Sequence, residues 1–246
     1  MSILSNISDK ANSSQKQFAV LIDPDKVSLQ EVEEISKISA KANVDFIFVG
    51  GSLLTKGSLD ECIQVIKNHF NKKVIIFPGN SMQISSYADG ILLLSLISGR
   101  NADMLIGKHV IAAPFLKASK IEIIPSGYLI IESGVTTAAQ YMSNTQPIPF
   151  DKDDIAMCTA MAGEMLGLKL IYLDAGSGAK NSVSETMIIK VKSNISVPLI
   201  IGGGIKTPEI AKKCCLAGAD IIVVGNAIEK NFDLISSISD AIHSIQ

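Results

Sequence analysis

Short runs of β-branched and aliphatic residues recur along the chain. Each is followed by a longer stretch whose apolar positions repeat at helical spacing. The first run, residues 18–22, leads into residues 28–42, where Val32, Ile35, Ile38 and Ala42 share a face and Ser28 with Glu31 has the spacing of a capping box. Residues 45–49 and 73–77 read as the next strands, with a helix over 58–70 opened by a second such pair, Ser58 and Glu61. The segment 78–88 is short and polar, too little for a full helix. Residues 90–94 then read as a strand and 102–115 as a helix. Two apolar runs, 121–124 and 128–131, flank Pro125 to Gly127 and predict an interrupted or doubled fifth strand. A long loop over 132–150 precedes a helix over 152–166. Strands over 169–173, 199–201 and 220–224 alternate with helices over 184–193, 207–216 and 232–245.

The alternation amounts to about eight strands and nearly as many helices. The strands are apolar almost throughout, which suits a parallel sheet covered on both faces. No Gly/Ser-rich or charged linker divides the chain. The expected fold is α/β: one domain over residues 1–246, a (β/α)8 TIM barrel whose third helix is missing or replaced. An open doubly wound sheet is the lesser alternative.

Composition narrows the function classes. The chain has 246 residues, with 22 Lys+Arg against 24 Asp+Glu and a net charge of −2. That balance argues against a nucleic-acid partner. A hydrophobic content of 47% excludes disorder. The most apolar stretch, 91–97, is far shorter than the ~18–20 residues that cross a bilayer, and the N-terminal segment lacks the pattern of a secretory leader. A soluble, cytoplasmic protein is expected. Cys62, Cys158, Cys214 and Cys215 lack CxxC spacing and read as free thiols, and His69, His109 and His243 lie apart from one another and from the cysteines, which leaves no zinc constellation.

Chemistry in a barrel of this kind sits just beyond the strand ends. Glycine-rich ends recur at Gly50-Gly51-Ser52, at Gly176-Ser177-Gly178, at Gly202-Gly203-Gly204 and at Gly225-Asn226. Glycines there let backbone N–H groups approach a phosphate, and the helix N-termini near Ser184, Thr207 and Asn226 add favourable potential. Three such loops after the last three strands point to a phosphate-bearing ligand. The first strand ends in Asp23-Pro24-Asp25-Lys26. Pro24 aims Asp23 across the mouth, either as a cap or partner of Lys26, or as a Mg2+ ligand with Ser52 as a second oxygen. Asp174 is either a turn residue or an acid/base group facing a substrate hydroxyl. Lys26, Arg100 and Lys206 are candidate diphosphate contacts, and His109 reads as a packed or surface histidine.

Taken together these strand ends resemble one family, the geranylgeranylglyceryl phosphate synthases and their relatives the bacterial heptaprenylglyceryl phosphate synthases. The matching pieces are LIDPDK at 21–26, FVGGS at 48–52, SGYLIIESG at 126–134, YLDAGSGA at 172–179, IGGGIK at 201–206 and VVGNAI at 223–228. The resemblance implies a modified barrel without its third helix. It also implies transfer of a polyprenyl group from its diphosphate to the C3 hydroxyl of sn-glycerol 1-phosphate, in ether-lipid synthesis. Carried over by position, Asp23 and Ser52 are implied as magnesium ligands. Tyr172, Leu173, Asp174, Ala175, Gly176, Ser177 and Gly178, with Gly203, Gly204, Gly225 and Asn226, are implied as glycerol-phosphate contacts. Asp174 is the candidate proton acceptor, and Tyr128 is taken as a second catalytic residue. Leu21, where the heptaprenyl branch has lysine, points to the geranylgeranyl branch of the larger type. Asp174 stands where the family usually has glutamate, so the carboxylate reaches one methylene less far.

Two further expectations follow from the resemblance. A homo-oligomer, a dimer or an assembly of dimers, is implied, with peripheral membrane contact. An apolar groove should open where the third helix is missing, between 78–88 and 100–115, walled by Ile84, by residues 92–97 and by residues 128–130. The alternatives by chemistry are a sugar-phosphate barrel enzyme and a flavin-binding barrel.

Overall fold

The computed structural model describes residues 2–245 and forms a closed parallel barrel in which each strand pairs with the next and the eighth with the first. The strands are β1 (Gln17–Ile22), β2 (Phe46–Val49), β3 (Lys73–Ile76), β4 (Gly90–Leu96), β5 (Glu122–Ile130), β6 (Leu170–Asp174), β7 (Leu199–Gly202) and β8 (Ile221–Val224). Alternation along each strand divides the core in two. Phe18, Val20 and Ile22 face outward into the layer between sheet and helices, whereas Ala19, Phe46, Phe48 and Tyr172 fill the barrel. Both faces are buried, which is why the runs are apolar without a polar alternate.

The helices of the outer ring begin where the caps place them. Ser28 caps α2 (Leu29–Lys41) in a complete capping box with Glu31, while Ser58 caps α3 (Leu59–His69) through the Glu61 N–H alone. Among the described residues no helix intervenes between β3 and β4. Instead Gln83 folds the segment back, accepting from the Gly79 N–H and donating to the Gly51 carbonyl. After β4 a single π-helical turn, Asp103–Gly107, runs into α4 (Lys108–Ser119). The remaining helices are α6 (Asp153–Met165), α7 (Glu185–Lys192), α8 (Pro208–Leu216), a short α9 (Asn226–Lys230) and α10 (Leu234–His243). No described helix is long and apolar enough to cross a membrane.

Three elements depart from the expectations. Strand β5 is continuous through Pro125 rather than interrupted. The Pro125 carbonyl accepts from Lys169, ahead of the first β5–β6 pair, Ser126 with Leu170, so the missing proline N–H would face a position where the ladder has not begun. The long loop before α6 holds a short helix, α5 (Ala138–Ser143), capped by Thr137. An N-terminal helix, α1 (Ile3–Asn12), closes the barrel floor: Ile3 and Ile7 enter the interior cluster, and the Ile3 and Leu4 N–H groups donate to the Glu122 carboxylate at 2.6 and 2.8 Å. Burying a side chain such as Ile7 contributes about 2 kcal/mol.

Below the barrel, Asp45 ties α1, β1 and α10 together. Its buried carboxylate accepts from Lys10 Nζ at 2.6 Å, from the Phe18 N–H at 2.9 Å and from His243 Nε2 at 2.9 Å. Burial alone would raise its pKa, but His243, Lys10 and Phe18 outweigh it and hold the carboxyl below its ordinary value. A depressed folded pKa means that the contribution to stability is full above the ordinary carboxylate value and is lost as pH falls through the depressed one. Asp45→Ala is therefore expected to lose about 3 kcal/mol at neutral pH. Melting curves taken between about pH 7 and 2.5 should converge for variant and wild type; curves that stay parallel would remove Asp45 from this role.

Candidate active site

The C-terminal ends of the strands surround one cavity of about 800 Å³, which combines an acidic pole, a glycine-lined pole and an apolar channel. At the acidic pole Pro24 turns the chain after β1, so that Asp23 Oδ1 accepts from the Asp25 N–H at 3.1 Å, while Lys26 Nζ lies 3.3 Å from Oδ2. The backbone after β2 passes directly against this carboxylate, because a Cβ on Gly51 would lie 2.7 Å from Asp23 Oδ1. Only glycine permits that approach, and it brings Ser52 to the same cavity. Asp25, to which no sequence signal assigns a role, fixes this arrangement. Its carboxylate accepts from the N–H groups of Thr55, Lys56 and Gly57 and from the Thr55 hydroxyl, between 2.6 and 3.0 Å. Those bonds hold its pKa well below the usual carboxylate range and clamp the β2–α3 loop beside Asp23.

The donor set fits a hard cation. One carboxylate and one hydroxyl suit Mg2+, which keeps water and substrate phosphate oxygens as its other ligands. Among the described residues no group of three or more His, Cys, Asp or Glu side chains forms a metal site of the all-protein kind.

At the glycine-lined pole the loops after β6 and β7 touch backbone to backbone. Gly203 has φ +78, and a Cβ there would lie 2.4 Å from the Gly176 nitrogen and 2.8 Å from Asp174 Oδ1. Gly178, φ +79, faces open space instead, with nothing within 4 Å of a Cβ. Ser177, between Gly176 and Gly178, donates to Asn226 Oδ1 at 2.5 Å and so joins this loop to the one after β8. Gly176, Ser177, Gly178, Gly203, Gly204, Gly225 and Asn226 all line the cavity.

Asp174 sits between the poles, buried at 6% exposure. Its Oδ2 accepts from the Tyr128 hydroxyl at 2.5 Å and its Oδ1 from the Gly176 N–H at 2.7 Å. Burial raises its pKa, with both hydrogen bonds opposing the rise. Burial, then the Asp174 charge, pushes Tyr128 well above the usual phenol range, so Tyr128 stays a neutral donor. Phe77 stacks on Tyr172 at 5.3 Å, and Tyr128 meets Tyr172 edge-on at 5.4 Å, forming an aromatic wall. Leu173 and Ala175, implied by the resemblance as glycerol-phosphate contacts, lie away from the cavity. Strand alternation turns both into the outer layer, and the Ala175 N–H is taken by the Gly202 carbonyl.

The apolar channel is lined by Ile84, Leu92, Leu94, Leu96, Met104 and Ile130, so the helix-free segment after β3 and the elements after β4 both contribute to its wall. Ile97 and Leu129, expected in its wall, face the outer layer by the same alternation. Ser95 does not line the channel; its hydroxyl is 3.3 Å from Nε2 of His109, a wall residue whose pKa burial lowers. Of the candidate diphosphate contacts, Lys26 and Lys206 line the cavity. Arg100 does not, because its guanidinium is tied to the Ile97 and Gly99 carbonyls. Burial pushes the Cys62, Cys214 and Cys215 thiols up to about 12, which makes them inert packing residues.

The chain is similar to known proteins along nearly its whole length. The PcrB family model matches residues 11–243. The chain is 52% identical to the geranylgeranylglyceryl phosphate synthase of Chitinophaga pinensis, over 98% of this chain and 96% of that one. It is 53% identical to the synthase of the same name from Spirosoma linguale, over 94% and 92%. Among solved structures, (S)-3-O-geranylgeranylglyceryl phosphate synthase from Thermoplasma acidophilum, in complex with its substrate sn-glycerol-1-phosphate, superposes with a TM-score of 0.94 at 36% identity, covering 100% of both chains.

Proposed function

The chain belongs to the PcrB family, and on that premise we propose that it joins a polyprenyl group, of geranylgeranyl size, to the C3 hydroxyl of sn-glycerol 1-phosphate and releases diphosphate. One observation carries the reading: a single cavity holds glycine loops for a phosphate, a carboxylate–hydroxyl pair for a diphosphate's counter-ion, and an apolar channel for a hydrocarbon chain. A sugar-phosphate isomerase has no use for that channel.

Each part of the cavity has a task in this reaction. The loops around Gly176–Gly178, Gly203–Gly204 and Asn226 hold the phosphate of glycerol phosphate, which orients the C3 hydroxyl toward Asp174. Asp23 and Ser52 would hold Mg2+, which when bound neutralises charge on the departing diphosphate. The bond from the allylic carbon to diphosphate oxygen breaks, a bond from that carbon to the C3 oxygen forms, and the hydroxyl proton passes to the Asp174 carboxylate. Tyr128 keeps that carboxylate oriented. The channel takes the prenyl tail, each buried CH2 contributing about 0.8 kcal/mol. Ile106, Val110, Ile111 and Phe115 are exposed along the π turn and α4. They support a homo-oligomer and a transient contact with the membrane that supplies the prenyl substrate.

The test is incubation with sn-glycerol 1-phosphate, Mg2+ and radiolabelled prenyl diphosphates of several lengths, followed by extraction of lipid product. A labelled geranylgeranylglyceryl phosphate is expected. No extractable product at any length would end the reading.

The phosphate assignment has a separate test in Gly178→Ala. The methyl projects into open space, so folding loses only about 1 kcal/mol from the left-handed backbone. KM for sn-glycerol 1-phosphate should rise about tenfold with the prenyl KM unchanged. The reverse pattern would exchange the two phosphate sites.

A further inference from the structure

We propose that Lys26 is a substrate-binding residue for the glycerol-phosphate phosphate, the cation that lets two anionic groups assemble side by side in the cavity. The inference rests on the reading above and adds to it a residue from outside the three glycine loops.

The geometry is specific. The Lys26 side chain leaves the β1–α2 loop and crosses the barrel mouth to a residue 151 positions away, donating to Ser177 Oγ at 3.1 Å. Ser177 gives its own hydrogen to Asn226 Oδ1, so it meets the ammonium with a lone pair. The same ammonium is 3.3 Å from Asp23 Oδ2 and 3.9 Å from Glu229 Oε1. Lys26 therefore stands at the seam between the carboxylate pole and the loop whose glycines receive the phosphate. All of its named neighbours line the cavity.

Electrostatics favours a cation at this seam. A phosphate dianion placed beside Ser177 and Asn226 faces the carboxylates of Asp23 and Glu229, and like charges so close disfavour binding. An ammonium between them turns that repulsion into shared attraction, and its three N–H donors can serve a carboxylate, a hydroxyl and a phosphate oxygen together. A purely structural role explains less. The Lys26 side chain is 40% exposed, and a solvent-exposed lysine–carboxylate pair three residues apart contributes little to stability.

The experiment is calorimetric titration of the full chain, without metal or prenyl substrate, with sn-glycerol 1-phosphate and separately with inorganic phosphate. It compares wild type, Lys26→Met and Lys26→Arg. Lys26→Met should weaken both ligands by roughly 10- to 100-fold at unchanged melting temperature, as loss of one charge-assisted contact implies. Lys26→Arg should recover most of the loss. In turnover, Lys26→Met should raise KM for glycerol phosphate and leave the prenyl diphosphate KM in place. Wild-type binding by Lys26→Met, or a change confined to the prenyl KM, overturns the proposal. If the wild type binds inorganic phosphate in a Lys26-dependent way but not sn-glycerol 1-phosphate, Lys26 keeps its place as the phosphate's cation and the substrate reading falls. If it binds neither ligand, both fall.

Discussion

Asp23→Asn is expected to keep the fold and lose at least a hundredfold, roughly 2.7 kcal/mol or more, in turnover. Asparagine has the shape of the carboxylate, so it fits against Gly51 where a larger group would not. It can still accept from the Asp25 N–H, which keeps the turn after β1. What disappears is the negative charge that the proposed donor set would offer to Mg2+, and with it the charge neutralisation that the bound ion would supply to a departing diphosphate. Chelation of the wild type by EDTA should give the same loss, reversed by added Mg2+. A readout independent of turnover is Mn2+ binding in the presence of inorganic diphosphate, which the variant should weaken. Full activity in the variant or in EDTA would remove Asp23 from the metal role.

Asp174→Asn should lower kcat by roughly a hundred- to ten-thousandfold with little change in either KM. The amide can face its oxygen to the Gly176 N–H and its nitrogen to the Tyr128 oxygen, so the buried site stays hydrogen-bonded while the carboxylate proposed to accept the proton is gone. Tyr128→Phe separates positioning from proton transfer. The Tyr128 hydrogen bond holds the Asp174 pKa down against the rise caused by burial, so its removal lets that pKa climb further. A base works only when ionised. The acid limb of the pH–rate profile should therefore move to higher pH in Tyr128→Phe while the plateau rate recovers. An unmoved limb, or more than about a tenth of wild-type kcat in Asp174→Asn, would defeat the base assignment.

The resemblance suggests Gly204→Val as an obvious probe of the phosphate loops, and the structure argues against it. A Cβ at Gly204 would lie 2.5 Å from the Asn181 carbonyl oxygen, so the variant would disturb the backbone before it tested binding. Gly178, equally glycine-rich in context, faces open space and is the informative site. Sequence does not distinguish the two, because both sit in similar motifs. The difference lies in what the neighbouring loop brings against each.

The barrel, its strand order and the absent helix after β3 were legible because they rest on local signals. Apolar runs two faces deep predict buried parallel strands, caps mark helix starts, and a polar stretch of 78–88 cannot cover a sheet. Asp23, Ser52, Asp174 and the glycine loops were legible for a related reason, since strand ends are where a barrel exposes its chain. The floor helix α1 was not, because its thin stripe of Ile3 and Ile7 has meaning only once an open barrel end needs covering. Nor were the roles of Leu173 and Ala175, which the two-residue alternation turns away from the cavity although the motif runs through them. Asp25 reaching the Thr55–Gly57 amides and Lys26 reaching Ser177 lay beyond sequence altogether. Periodicity decides which residues become strand, helix or exposed end. Which ends meet is decided by closure of the barrel, a property of the whole chain.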